Sequence, residues 1–218
     1  GFIPLCSGRI IVNGSDITNV PIEKRNIGIV FQSYALFPSM TVYENIAFGL
    51  EIRKLPKDEI KSKVYEIIKK VDLSEMHLSR AVTELSGGQQ QRVAIARALV
   101  TSPSIICMDE PLSNLDAKLR IGLRNELKRM QREIGITTIY VTHEQDEALT
   151  ISDRIAVFNK GNIEQIGTPN EIYNKSKTEF VCNFVGDINK LNEKIIDLMQ
   201  LEKTKQHYVR LERIHVNP

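Results

Sequence analysis

Two adjacent carboxylates, Asp109 and Glu110, follow the continuous apolar run Ile105-Ile-Cys-Met108 in this 218-residue chain. A carboxylate pair at the end of a buried strand suits divided work. Asp109 can hold Mg²⁺, directly or through water, because that ion prefers hard oxygen ligands and phosphates. Glu110 can orient and deprotonate an attacking water. As a dipeptide alone, the pair reads more readily as a solvated turn ahead of Pro111. Leu85-Ser-Gly-Gly-Gln89 brings a second chemistry. Ser86 and two glycines at a helix start present free backbone N–H groups and the positive end of the dipole, with no bulk to block an anion. An ordinary capped helix explains Ser86 but leaves Gly87, Gly88 and the glutamines from Gln89 onward without a reason. Gln32 and His143 complete the set, each placed directly after a strand-like run.

The elements that must position these groups can be read from patterning. In open parallel sheets, functional groups gather outside the carboxyl ends of the strands. Ile27-Gly-Ile-Val-Phe31 delivers Gln32, Ile105–Met108 delivers Asp109 and Glu110, and the β-branched run Thr137–Thr142 delivers His143. One sheet edge would therefore collect all four. The unbroken apolar character of Ile105–Met108 is that of a parallel strand covered on both faces. Between these runs the periodicity is helical. Val64, Ile67, Ile68 and Val71 form one face. Pro38 and Pro56 punctuate residues 34–84, so several short helices are expected there. Ser86 caps a helix over Gly87–Val100, and Leu115, Leu119, Leu123, Leu127 and Met130 line an amphipathic helix closed near Gly135.

Nearer the ends, Asn13-Gly14 marks a hairpin, and Asn159-Lys-Gly-Asn162 joins two further strands. Thr168-Pro-Asn-Glu171 is a capping box with proline at the first helical position, and a short helix over Glu179–Phe184 follows. Leu191, Ile195 and Met199 stand at helical spacing before a strand-like Tyr208–Val216. Strands alternating with helices predict an α/β fold with a parallel sheet.

Composition narrows the class. Hydrophobic residues make up 42% and charged residues 26%, with a formal net charge of +2. That balance argues against wrapping nucleic acid. No apolar run approaches the roughly 18 residues of a membrane span, and neither a basic leader nor a cleavage site follows Gly1, so no signal peptide is expected. Cys6, Cys107 and Cys182 are widely spaced and form no Cys/His cluster, which reads as reduced thiols rather than zinc ligands.

Taken in order, Gln32, Leu85–Gln89, Ile105–Glu110, Ser113-Asn-Leu-Asp116 and His143 resemble the Q-loop, signature motif, Walker B with catalytic glutamate, D-loop and switch histidine of an ABC transporter nucleotide-binding subunit. The resemblance covers residues 1 to about 186, and five ordered motifs make it specific. Glu23–Val42 resembles, more particularly, the bacterial importers for maltose, polyamines, ferric iron, sulfate and phosphonates.

The resemblance implies an α/β P-loop NTPase (RecA-like) parallel-sheet core with antiparallel β elements and an inserted α-helical subdomain. Residues 1–33 and 86–185 would form the ATPase core, residues 34–85 the helical subdomain, and residues 186–218 a stub like the start of a regulatory domain. It implies ATP and Mg²⁺ as cofactors. Asp109 and Gln32 would hold the metal, Gln32 would also reach the attacking water as a catalytic residue, Glu110 would serve as general base and His143 would contact the γ-phosphate. Ser86, Gly87, Gly88 and Gln89 would bind the ATP held by the opposite subunit of a homodimer or paired ABC subunit, and Asp116 would couple the two sites. Residues Gln32–Phe48, with Tyr34, Phe37, Tyr43 and Phe48, would meet a transmembrane permease. A solute-binding protein would act indirectly, no nucleic acid would be bound, and the subunit would sit peripherally on the cytoplasmic face of the membrane.

Two departures qualify this picture. A P-loop needs G-x-x-x-x-G-K-[ST], and the chain has no Gly-Lys dipeptide. The family's order places that motif, and the adenine-stacking aromatic, upstream of Gly1. A longer gene product is expected in preference to a relic, and the 218 residues alone are expected to be inactive. Tyr208–Val216 resembles the R-P-E-x-I segment of importer regulatory domains, with Leu211 where proline is expected. Two alternatives are a non-catalytic ABC fragment and an ABC ATPase acting on nucleic acid or ribosomes. The second calls for a long coiled-coil insertion, which residues 33–85 do not supply.

Overall fold

The computed structural model describes residues 3–115, 117–202 and 207–210, the side chains of residues 117–119 excepted. It divides into two units, Gly1–Val141 and Thr142–Pro218. In the first, Asn13 (φ 49°) and Gly14 (φ 78°) form the tight turn between β1 (Ile11–Val12) and β2 (Ser15–Asp16), an antiparallel pair. The sheet begins with β3 (Ile27–Val30).

Helices α1 (Val42–Ile52) and α2 (Lys57–Lys70) come next. Thr41 and Glu44 make a capping box at the start of α1. In α2, Asp58 and Glu59 occupy the first turn and Lys69 and Lys70 the last, each sign opposing the dipole end beside it. Its apolar stripe, Val64, Ile67, Ile68 and Val71, is buried as the periodicity predicts. Then come α3 (Gly87–Leu99), β4 (Ile105–Asp109), α4 (Ala117–Ile134) and β5 (Thr137–Val141). Leu123, Leu127 and Met130 of α4 are buried. Gly135, at φ 69°, ends the helix by donating to the Gln131 carbonyl.

The sheet is parallel with order β3-β4-β5. Its register pairs Val30 with Met108 and Asp109 with Val141, which aligns the three carboxyl ends. Ile46, Leu50, Ile68, Ile95 and Ile106 anchor the core where the helices meet the sheet. Helix α3 lies so close that a Cβ on Gly28 would stand 3.0 Å from the Ala98 carbonyl oxygen. The two faces of β4 are covered unequally. Ile106 and Met108 are buried, whereas Ile105 and Cys107 are only half-buried, so the expectation of full cover holds for one face. Burial nevertheless pushes the Cys107 thiol pKa up.

The second unit opens with α5 (Gln145–Ile151), which the apolar pattern does not signal. The hairpin β6 (Ile155–Asn159) and β7 (Asn162–Gly167) turns through Lys160 and Gly161, both at positive φ. The capping box of Thr168 and Glu171 starts α6 (Pro169–Asn174), and α7 (Glu179–Phe184) follows. Val157, Ile172, Val181 and Val185 form this unit's core. Strand β8 (Ile188–Lys190) pairs antiparallel with β9 (Tyr208–Arg210). Between them α8 covers only Glu193–Leu198, so Leu191 and Met199 flank the helix that their spacing suggests. The remainder of Tyr208–Val216 lies outside the described residues.

Candidate functional site

The first unit brings Gln32, Glu110 and Ser113 together at the carboxyl ends of β3 and β4. The Gln32 side-chain amide donates to Glu110 Oε2 at 3.3 Å and to Ser113 Oγ at 3.1 Å. Asn114 donates in turn to the Gln32 carbonyl at 2.8 Å. Glu110 takes a left-handed backbone conformation, φ 43°, which few residues with a Cβ adopt. Its main chain is held on both sides: its N–H donates to the Val141 carbonyl at 2.9 Å, and its own carbonyl accepts from the Ser113 hydroxyl at 2.9 Å. Such strain persists only where the surroundings over-determine it, and it is concentrated at functional positions.

Asp109 closes β4 and is exposed. No group of three or more His, Cys, Asp or Glu among the described residues forms a metal cage. Mg²⁺ binds through one or two carboxylates and completes its shell with water and substrate phosphates. Asp109 together with the amide oxygen of Gln32 is a fitting oxygen donor set for it.

Ser86 caps α3 as anticipated, accepting from the Gln89 N–H at 3.4 Å, while Gln89 Oε1 accepts from the Ser86 N–H at 2.9 Å. Gln89 therefore closes a capping box and also lies 3.3 Å from His77 Nε2. The structure adds a packing reason for the two glycines. A Cβ on Gly87 would stand 3.1 Å from Leu115 Cδ2, and one on Gly88 would stand 3.4 Å from Leu123 Cδ1. Their bareness lets α3 start against Leu115 and Leu123, and Gly88 is buried there.

His143 belongs to the second unit, two residues beyond the last residue of β5. Its side chain is 63% exposed and Nε2 lies 3.7 Å from Glu144 Oε1. Behind it, the Thr142 hydroxyl donates to the buried Glu147 at 2.8 Å and accepts from the Glu144 N–H at 3.0 Å, which fixes the backbone on either side of the imidazole. Asp116 lies outside the described residues. Of the aromatic quartet, Tyr34 is core, whereas Phe37, Tyr43 and Phe48 are half-buried; the Phe37 and Phe48 rings stand 4.7 Å apart.

Residues 1–113, just over half of the chain, match the profile of a family described as ABC transporter. The chain belongs to the ABC transporter family. It is 54% identical over 202 residues to the spermidine/putrescine import ATP-binding protein PotA of Clostridium novyi, covering 93% of this chain and 56% of that protein. It is 52% identical over 210 residues to the protein of the same name from Mannheimia succiniciproducens, covering 96% and 55%. The chain thus spans about half the length of the curated relatives it matches. A solved ATP-binding cassette, dimeric in a post-hydrolysis state and bound to ADP and Pi, superposes with a TM-score of 0.63 at 31% identity, over 75% of this chain and 74% of that one. The parallel sheet with flanking helices and antiparallel strands is accordingly the mixed α/β, P-loop NTPase architecture of ABC ATPases.

Three site residues have no assigned role in the sequence reading. Ser113 and Asn114 stand inside the D-loop-like motif, whose only assigned residue is Asp116. Arg97 grips main-chain carbonyls more than sixty residues away, which no local pattern reports.

Proposed function

We propose that this chain forms the ATP-binding and hydrolysing part of an ABC importer whose solute is a polyamine. The observation that carries the reading is the bonded set Gln32–Glu110–Ser113, formed at the ends of two parallel strands. The PotA relatives' identity across more than nine-tenths of this chain supports the choice of solute. Among the described residues no helix is long and apolar enough to cross a membrane, so the proposal gives translocation to a partner permease.

In this proposal Asp109 and Gln32 hold Mg²⁺, which when bound neutralises phosphate charge. Glu110 takes the proton of the attacking water, and the Gln32 amide keeps that carboxylate aimed. His143 steadies the γ-phosphate. Phosphoryl transfer asks chiefly for positioning and charge stabilisation, and these residues supply both. Ser86, Gly87, Gly88 and Gln89 clasp the ATP of a second copy or paired ABC subunit, with Asp116 coupling the two sites. Residues Gln32–Phe48 face the permease at the cytoplasmic membrane face, and a polyamine-binding protein delivers solute from outside. Residues 1–33 and 86–185 serve as the ATPase core, 34–85 as the helical subdomain and 186–218 as a regulatory stub.

The test is ATP hydrolysis by an importer assembled with the longer gene product as its ATPase subunit, with and without polyamine-loaded binding protein. Stimulation by spermidine or putrescine, lost in Glu110→Gln, is expected. Turnover indifferent to polyamine would overturn the solute, and an unmodified rate in Glu110→Gln would overturn the site. The 218 residues by themselves, which contain no Gly-Lys dipeptide, are expected neither to bind ATP tightly nor to hydrolyse it.

A further inference from the structure

Gln32 sits inside a tight turn closed by the Tyr34 N–H donating to the Phe31 carbonyl at 2.9 Å. The next step of the chain is strained. Tyr34 (φ 62°) and Ala35 (φ 46°) are consecutive non-glycine residues in the left-handed region. Burial of the Tyr34 ring fixes one side of this path, at 5% exposure. The other side is gripped by one guanidinium from α3. Arg97 donates to the Ala35 carbonyl at 2.7 Å and to the Tyr34 carbonyl at 2.9 Å, and its Cζ stands 5.5 Å from the centre of the Phe37 ring. Among the described residues it makes no ion pair. A planar, forked donor set matches two successive carbonyls in a way that a lysine ammonium on a flexible stem does not. Helix α3 is the same helix that Ser86 caps and whose first turn carries Gly87 and Gly88.

We infer that Arg97 is a positioning residue for Gln32: by holding the Tyr34 and Ala35 carbonyls it sets the turn that aims the Gln32 amide at Glu110, and it ties that turn to the glycine-led helix α3. The effect on turnover rests on the ATPase reading above, whereas the effect on the turn does not.

Two measurements decide it. In the 218-residue chain, Arg97→Lys is expected to raise amide hydrogen exchange over Ser33–Phe37 at least tenfold and to leave α2 unchanged. Unchanged exchange in the turn, or a rise throughout the unit, would overturn the inference. In the assembled importer, Arg97→Lys is expected to lower kcat about tenfold with KM for ATP within twofold, and to cost less than twofold once Gln32→Ala is present. An equal loss in both backgrounds would show that Arg97 acts independently of Gln32 and would overturn the inference. If the unmodified importer fails to hydrolyse ATP, the proposed function falls, while the exchange measurement still decides the role of Arg97 in the turn.

Discussion

The Gln32 side-chain amide donates to Glu110 Oε2 at 3.3 Å, joining residues 78 positions apart in the chain. Parallel pairing of β3 with β4 makes this possible, because in-register parallel strands end side by side. The contact is compatible with a neutral partner. In Glu110→Gln, the new amide oxygen can still accept from Gln32, so the fold should be kept while the proposed base is removed.

The expected result for Glu110→Gln in the assembled importer is a loss of at least about a hundredfold in single-turnover ATP hydrolysis, the scale of one general base. Thermal unfolding of the variant should coincide with that of the parent to within about 2 °C, since the change lies in charge and not in packing. A rate within threefold of the parent would rule out Glu110 as the base.

His143→Ala separates chemistry from stability in the same way. The side chain is 63% exposed, so its removal should change unfolding free energy by less than about 0.5 kcal/mol. Turnover should nevertheless fall more than threefold, or about 0.7 kcal/mol of barrier. Urea unfolding and steady-state hydrolysis on one preparation would test both halves.

Much of the fold was legible because its signals are local. The stripe Val64, Ile67, Ile68 and Val71, the cap at Ser86 and the box Thr168–Glu171 each need only a few neighbouring residues to declare themselves. The partnership of Gln32 with Glu110 was anticipated only as a shared sheet edge, and the hydrogen bond itself depends on register. Arg97 was silent because backbone carbonyls have no sequence signature as acceptors. Helix α5 was missed because Gln145-Asp-Glu-Ala-Leu-Thr-Ile151 buries Glu147, at 3% exposure, in place of an apolar stripe. In sequence the glycines of α3 suggest an open approach for an anion, whereas their packing against Leu115 and Leu123 exists only in three dimensions.

Asn45 supplies a prediction about how the segment after Gln32 is held. Its fully buried side chain accepts from the Phe37 N–H at 2.9 Å and donates toward the Phe37 carbonyl at 3.1 Å and the Thr41 carbonyl at 3.0 Å. Asn45→Ala strands buried backbone groups, at about 1–3 kcal/mol for each one left unpaired. Chemical denaturation should show a loss of about 2–3 kcal/mol, accompanied by faster amide exchange at Phe37. A loss below about 0.5 kcal/mol would mean that water replaces the side chain without cost.

The capping carboxylates give the fold an acid limit. Glu44 accepts from the Thr41 main-chain N–H and then from its hydroxyl, and Glu171 does the same with Thr168. Those bonds, the backbone one first in each case, draw both carboxyls below the ordinary value of 4.5. A carboxyl depressed in the folded state binds its proton more readily once unfolded. Its contribution is therefore complete above the unfolded value and is lost as pH falls through the lower, folded one. Melting temperature should hold level down to about pH 5 and decline as pH falls further. Replacing both acids, Glu44→Gln with Glu171→Gln, keeps an acceptor in each box and removes the titration, so the doubly substituted chain should lose less over that interval. Parallel melting curves for parent and variant across the same pH series would place the acid limit elsewhere in the molecule.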